Sequence, residues 1–234
     1  MLLTIADNLA QLRERVAIAA QRAGRRTEEI TLIGVSKTHP AEKIRQAFQA
    51  GLRHFGENRV QEWEGKRAAL ADLSATWHLI GHLQSNKAAR AAKVFTAIDS
   101  LDDSALAQRV ARAVAEVPSA QPMRVLIEVH LGGEETKSGA AESELPALTE
   151  KILQMKELCL EGFMCIPPFL ENPEEVRPYF ARLRQLRDGL ETRMGRRFPV
   201  LSMGMSHDFE AAIQEGATEI RVGTALFGTH PSPH

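Results

Sequence analysis

Ile30-Thr-Leu-Ile-Gly-Val-Ser-Lys37 is an apolar run closed by a lysine, and the chain breaks just beyond it at His39-Pro40. The run reads as a buried strand, with Lys37 where that strand meets a loop. An amine so placed can lie in a half-dry pocket, where desolvation favours its neutral, nucleophilic form. Most strand-end lysines are simply solvated. The meaning of this one depends on what the other elements bring to it.

Upstream, Ile5, Leu9, Leu12 and Val16 recur at helical spacing, with Thr4 and Asp7 as a capping pair. Downstream an alternation sets in. Strand patterns occupy residues 30–37, 54–58, 76–81, 96–101, 123–131, 159–167, 200–205 and 219–227. Helical patterns fill residues 40–51, 60–70, 87–95, 103–117, 144–155, 173–194 and 209–216. Asn172-Pro173-Glu174-Glu175 offers an N-cap, a first-turn proline and a capping-box glutamate, and Gly51 and Gly216 suit left-handed C-caps.

Short apolar strands separated by helices imply parallel pairing through right-handed crossovers. Eight such units in about 250 residues match a closed (β/α)₈ TIM barrel. An open doubly wound sheet is the alternative, but no Gly-x-Gly-x-x-Gly fingerprint follows the first strand. No shift in composition divides the chain. Residues 1–234 are therefore expected to form one α/β barrel domain with an extra N-terminal helix.

With 44% hydrophobic and 25% charged residues, the chain can bury a large core. A formal net charge of −1 gives no basic field for nucleic acid or a membrane surface. No run approaches the ~18 apolar residues of a spanning helix. The start, Met1-Leu-Leu-Thr-Ile-Ala-Asp7, has no basic flank, so a cytoplasmic protein is expected. Cys159 and Cys165 share one strand pattern. That spacing sets them roughly 20 Å apart, beyond the about 4.4–6.8 Å a disulfide spans, and they read as core thiols.

Barrel chemistry gathers where strands end C-terminally. Those ends carry Lys37, Asn58, His82, Asp99, His130, Pro167, Ser206 and Arg221. Closure sets the eighth strand beside the first and brings Arg221 and Gly223 near Lys37. Ser202-Met-Gly-Met-Ser206-His-Asp208 leads from a strand into a helix start, where free N–H groups favour an anion. Arg221-Val-Gly-Thr224 offers small residues that let backbone amides approach a phosphate. For either loop alone a helix cap or a chain turn is the better explanation; both on one face favour phosphate. An amine nucleophile beside a phosphate cradle and an arginine fits a Schiff-base site for a phosphorylated aldehyde. Pyridoxal 5′-phosphate (PLP) suits it, with Arg221 facing the pyridine nitrogen and keeping it unprotonated. A structural ion pair of Arg221 at the rim is the rival reading.

Seven motifs follow one another along nearly the whole chain. They are Val35-Ser-Lys-Thr38, Phe55-Gly-Glu-Asn58 with Val60-Gln-Glu62, and Trp77-His-Leu-Ile-Gly-His-Leu-Gln-Ser-Asn86, then Lys137-Ser-Gly139 and Gly162-Phe-Met-Cys-Ile-Pro167, and last Leu201-Ser-Met-Gly-Met-Ser206 and Arg221-Val-Gly-Thr-Ala-Leu-Phe-Gly228. Together they resemble the pyridoxal phosphate homeostasis protein family, whose fold is similar to the barrel of alanine racemases. The resemblance implies an internal aldimine of PLP on Lys37 and contact of Arg221 with the pyridine nitrogen. It implies phosphate binding by Ser206, Gly223 and Thr224, and a ring lined by Asn58, His82 and Met203. His130 and His207 stand where the family usually has asparagine and aspartate, and Arg59 where a tyrosine is common. Polar contacts near the phosphate loop are therefore left open.

The resemblance further implies PLP buffering and delivery, with PLP-dependent apoenzymes as recipients, rather than turnover. A racemase of this barrel type needs an acid/base group on each face of its substrate. In alanine racemases the resemblance assigns one face to the lysine and the other to a tyrosine from the partner subunit's second domain. This chain ends soon after the eighth strand, and its one tyrosine, Tyr179, sits at core spacing with Val176 and Leu183. Without the dimer-building second domain a monomer is expected. A PLP-dependent racemase or lyase, with His82 or His130 relaying a proton, is one rival, and a cofactor-free lysine aldolase is another.

No metal is expected. His78 and His82 on one strand would be about 13 Å apart, and no His-Glu-x-x-His or Cys/His cluster exists. Gly132-Gly-Glu-Glu-Thr-Lys-Ser-Gly139 lacks the residue order of a nucleotide loop and reads as a loop after the fifth strand. There the resemblance makes Lys137 a guard of the cofactor entrance.

Overall fold

The computed structural model describes residues 4–118, 121–132 and 138–228, so Lys137 lies outside the described residues. Its strands are β1 (Thr31–Val35), β2 (His54–Glu57), β3 (Thr76–Leu79), β4 (Ala97–Leu101), β5 (Met123–Glu128), β6 (Leu158–Met164), β7 (Val200–Ser202) and β8 (Glu219–Val222). They close into a parallel barrel in sequence order. Closure pairs Ile33 with Arg221 and Gly34 with Val222. Among the described residues no helix is long and apolar enough to cross a membrane.

Parallel neighbours need crossovers, and α2 (Ala41–Gln49), α3 (Val60–Arg67), α4 (Ala88–Val94), α5 (Ser104–Ala115), α6 (Leu145–Leu153), α7 (Arg177–Met194) and α8 (Phe209–Gln214) supply them. The N-terminal helix α1 (Ile5–Arg22) starts at the expected capping box: the Asp7 N–H donates to the Thr4 hydroxyl at 3.1 Å, and the Thr4 N–H donates to the Asp7 carboxylate at 2.9 Å. Asn172 accepts the Glu174 N–H at 3.1 Å, and Gly51 and Gly216 take the left-handed conformation at φ +97° and +103°.

Strand ends are where sequence and structure part. The chain leaves β8 after Val222 and turns into a short helix, α9 (Thr224–Phe227), rather than continuing as strand to residue 227. The apolar pattern could not separate the two, since a short apolar run fits either element. Docking decides: Leu226 and Phe227 are buried, and their carbonyls accept from Asn8 of α1 at 2.9 Å and Lys43 of α2 at 3.1 Å.

Side chains alternate across the barrel wall. A Cβ on Gly34 would meet Leu52, Leu226 and Phe227 in the helical layer, whereas one on Gly56 would meet Ile33 and Ile80 inside the barrel. Ile33, Val35 and, by continuation, Lys37 therefore face inward. Between barrel and helices lies the apolar core, in which Trp63 of α3 stacks on Trp77 at 4.0 Å and Trp77 on Phe55 at 5.1 Å.

Below its mouth the barrel interior is charged. His54 Nδ1 lies 3.1 Å from His78 Nε2, and His78 Nδ1 lies 2.9 Å from the Asp99 carboxylate. Arg124 donates to Asp99 at 3.1 Å, to Glu161 at 2.7 Å and to Glu219 at 2.5 Å. The sequence placed Asp99 at a strand end in the mouth; it sits instead within β4, fully buried in this layer. Burial alone would push its carboxyl up, but His78 and Arg124 outweigh that and hold it below its usual range. His78, Asp99 and Glu219 gather their ligand atoms within 4.8 Å, close enough for a metal. Arg124 already supplies the cation there.

Burial, then the neighbouring His78 and Arg124, drives the His54 pKa down to about 4. Its folded value lies below the unfolded one, so its contribution to stability is full above pH ~6.5 and is lost as pH falls through about 4. The ring is partly exposed, so solvent screening reduces this to about 1–2 kcal/mol. NMR titration of the His54 ring should show it neutral down to that value. A midpoint near 6.5 would contradict the buried pairing.

Candidate functional site

Lys37 is half-buried on the inner side of the mouth, and among the described residues its amine has no hydrogen-bond or ion-pair partner. Its backbone, in contrast, is pinned from behind. The Ser36 hydroxyl donates to the fully buried Glu57 at 2.7 Å, and Lys66 of α3 donates to the Ser36 carbonyl and to Glu57, both at 3.0 Å. Glu62 of α3 accepts the Thr38 N–H at 2.5 Å and pairs with Lys66 at 2.7 Å. Thr38 adopts φ +62°, a left-handed backbone costly for a β-branched residue, so this network holds a sharp turn immediately after the lysine. Burial pushes the Glu57 carboxyl up, against the pull of Lys66.

Arg221 is 2% exposed and donates to the Ser202 hydroxyl at 2.7 Å and to the Cys165 carbonyl at 2.8 Å. Both partners are neutral, and among the described residues no carboxylate pairs with it directly. Arg221 thus makes no direct ion pair among the described residues, while its charge acts at longer range on Asp99, Glu128 and Asp208.

Ser206 joins the loops after β7 and β8, accepting the Gly223 N–H at 3.3 Å and the Ala225 N–H at 3.5 Å. Gly223 has φ −108°, and a Cβ there would meet only Val35, at an ordinary 3.5 Å. Neither conformation nor packing demands a glycine there. Thr224 is exposed at the start of α9. Lys37, Ser206, Gly223 and Thr224 therefore lie beyond the ends of β1, β7 and β8, while Arg221 lies within β8, opposite Ile33.

Asn58 and His82 lie at the next ends round. The β2 and β3 loops touch so closely that a Cβ on Gly81 would come 2.3 Å from the Asn58 carbonyl oxygen. His82 lies 3.4 Å from Asp102. Met203 is placed apart from the others, fully buried in the hydrophobic core. His207 turns to the loop before α7, with Nε2 2.9 Å from the Glu171 carbonyl and its ring 5.2 Å from Phe169. His130 bonds Ala140 through its backbone, and Tyr179 packs on the core beside Gly132.

Sequence reasoning missed Glu128. This carboxylate ends β5, is 4% exposed, and accepts the Ser138 hydroxyl at 3.0 Å, while its other oxygen is buried without a partner among the described residues. Burial pushes it up and Asp102 adds to this, against Arg221 and His82. The signal was its alternation with Arg124 along β5, which turns both inward.

Residues 8–231 match the family model for the alanine racemase N-terminal domain. The pyridoxal phosphate homeostasis protein of Aquifex aeolicus is 48% identical over 222 residues, covering 95% of this chain and 96% of that protein. That of Pseudomonas aeruginosa is 47% identical over 226 residues, covering 96% and 95%. This chain belongs to the pyridoxal phosphate homeostasis protein family. Among solved structures, this family member is similar to PipY of Synechococcus elongatus with PLP bound, at TM-score 0.85 and 40% identity over 96% of this chain and all of that one. Alanine racemase of Clostridium difficile shares the fold at TM-score 0.72 and 16% identity, over 97% of this chain and 58% of that one.

Proposed function

We propose that this protein binds PLP as a Schiff base on Lys37 and serves intracellular PLP homeostasis by buffering the cofactor and delivering it to apoenzymes. One observation carries the reading: an unpartnered, half-buried amine opens on the same inner rim as the Ser206–Gly223 cradle. The residues fit the group. Ser206, Gly223 and Thr224 would take the phosphate; Arg221 would meet the pyridine nitrogen; Asn58 and His82 would flank the ring. PLP bound to lysine supplies an electrophilic aldehyde carbon and an electron-withdrawing ring.

The chain's own groups favour holding over turnover. Arg221 is a permanent cation and cannot give the ring nitrogen a proton, which leaves the ring a weak electron sink. Tyr179 is committed to packing. The turn at Thr38 and the Ser36–Glu57–Lys66 contacts keep the lysine backbone fixed while its side chain stays free to engage or release.

Borohydride reduction of the PLP-treated protein, followed by peptide mass analysis, should place a pyridoxyl adduct on Lys37. No adduct, or one on another lysine, would sink the proposal. Loaded protein should also restore activity to a PLP-dependent apoenzyme. Sustained racemisation or lysis of an amino acid, well above that given by free PLP, would favour the racemase or lyase alternative.

A further inference from the structure

A cavity of about 630 Å³ opens between the loops after β2 and β3, with Asn58, Arg59, Gln61, His82, Gln84 and Lys87 as its polar lining. The lining holds two permanent cations, one imidazole and three amides, and among the described residues that line it there is no carboxylate. Nearby acids have closer partners, although Glu62 also feels Arg59 and Glu64 feels Lys87 at longer range. Glu64 is held by Arg90, Glu62 by Lys66 and the Thr38 N–H, and Asp102 faces His82. Among the described residues Arg59 and Lys87 have no ion-pair partner. Two cations around one concavity repel each other unless an anion lies between them.

The backbone adds to this field. Arg59 and Val60 line the cavity and stand at the start of α3, whose N-cap makes no side-chain bond. Its first-turn N–H groups and the positive end of its dipole are left to a ligand or to water. The volume exceeds what a lone phosphate fills, and amides can both donate to and accept from hydroxyl or carbonyl groups.

We infer that this groove is a second ligand site, adjoining the proposed cofactor mouth, for a small polyanionic metabolite whose carboxylate or phosphate groups sit between Arg59 and Lys87. The site does not need PLP. Asn58 and His82 belong to both places, so a metabolite bound here touches the wall of the cofactor site, and that coupling alone rests on the PLP reading.

Isothermal titration of the full chain with citrate and, separately, with inorganic pyrophosphate tests the inference, using PLP-treated wild type and Lys37→Ala. At least one anion should bind saturably at one site in both proteins, more weakly as salt is added. Arg59→Gln and Lys87→Gln should each lower affinity roughly tenfold or more, while melting and taking up PLP like wild type. Binding of citrate alone identifies a carboxylate ligand, and of pyrophosphate alone a phosphorylated one. The inference is overturned if neither anion binds, if the two glutamine variants bind as wild type does, or if Lys37→Ala abolishes anion binding. Failure of the PLP reading would look different: wild type without a visible absorption band, but with its anion binding intact.

Discussion

Lys37→Ala should remove the visible absorption band and lower PLP affinity by roughly a hundredfold or more, equivalent to about 3 kcal/mol, while leaving the fold within about 0.5 kcal/mol of wild type. The two halves of this expectation have separate causes. Stability should hold because the amine touches no partner among the described residues. The local backbone is fixed by Ser36, Glu57, Glu62 and Lys66, none of which bonds the Lys37 side chain. Affinity should collapse because the covalent link goes, but not vanish, since the Ser206–Gly223 cradle and Arg221 are untouched. Equilibrium dialysis, absorption spectra and a thermal melt decide it together. A variant that keeps a borohydride-trappable band would move the Schiff base to another lysine. One that unfolds would make Lys37 a structural residue.

The barrel was legible because its strands are apolar runs set between helices with recognisable caps, and closure then set the eighth strand beside the first, with Arg221 opposite Ile33. Element ends were less legible. Residues 223–227 continue the strand pattern, and only the carbonyl contacts with Asn8 and Lys43 show that they are helical. The network behind Lys37 was half visible, since Glu62 and Lys66 stand at helical spacing, yet nothing local says that they reach back to Ser36 and Thr38. The interior charged layer was not seen at all. Six strands contribute one residue each, and His54, His78, Asp99, Arg124, Glu161 and Glu219 become neighbours only when the sheet closes. One clue was present in the sequence: each is a titratable residue inside an otherwise largely apolar strand pattern.

That layer should also be the most sensitive place in the molecule. Arg124→Ala removes the cation shared by Asp99, Glu219 and Glu161 and leaves the first two as buried negative charges. Breaking a buried pair in this way costs about 3–5 kcal/mol, a large share of the ~5–15 kcal/mol that holds a typical domain folded. At about 2–4 °C per kcal/mol for a chain of this size, the Tm should fall by roughly 6–20 °C. The deficit should shrink on acidification, because burial and Asp99 already push the Glu219 carboxyl up and protonation removes the repulsion. Replacing all three charges at once, by Arg124→Met, Asp99→Asn and Glu219→Gln, should recover much of the loss, since uncharged groups need no cation. Differential scanning calorimetry of the single and triple variants separates the two possible origins of the effect. If the triple variant melts as low as Arg124→Ala, the guanidinium matters for its packing volume and not for its charge. If Arg124→Ala melts like wild type, the interior carboxylates are already neutral and the ion-pair account of the barrel floor is wrong.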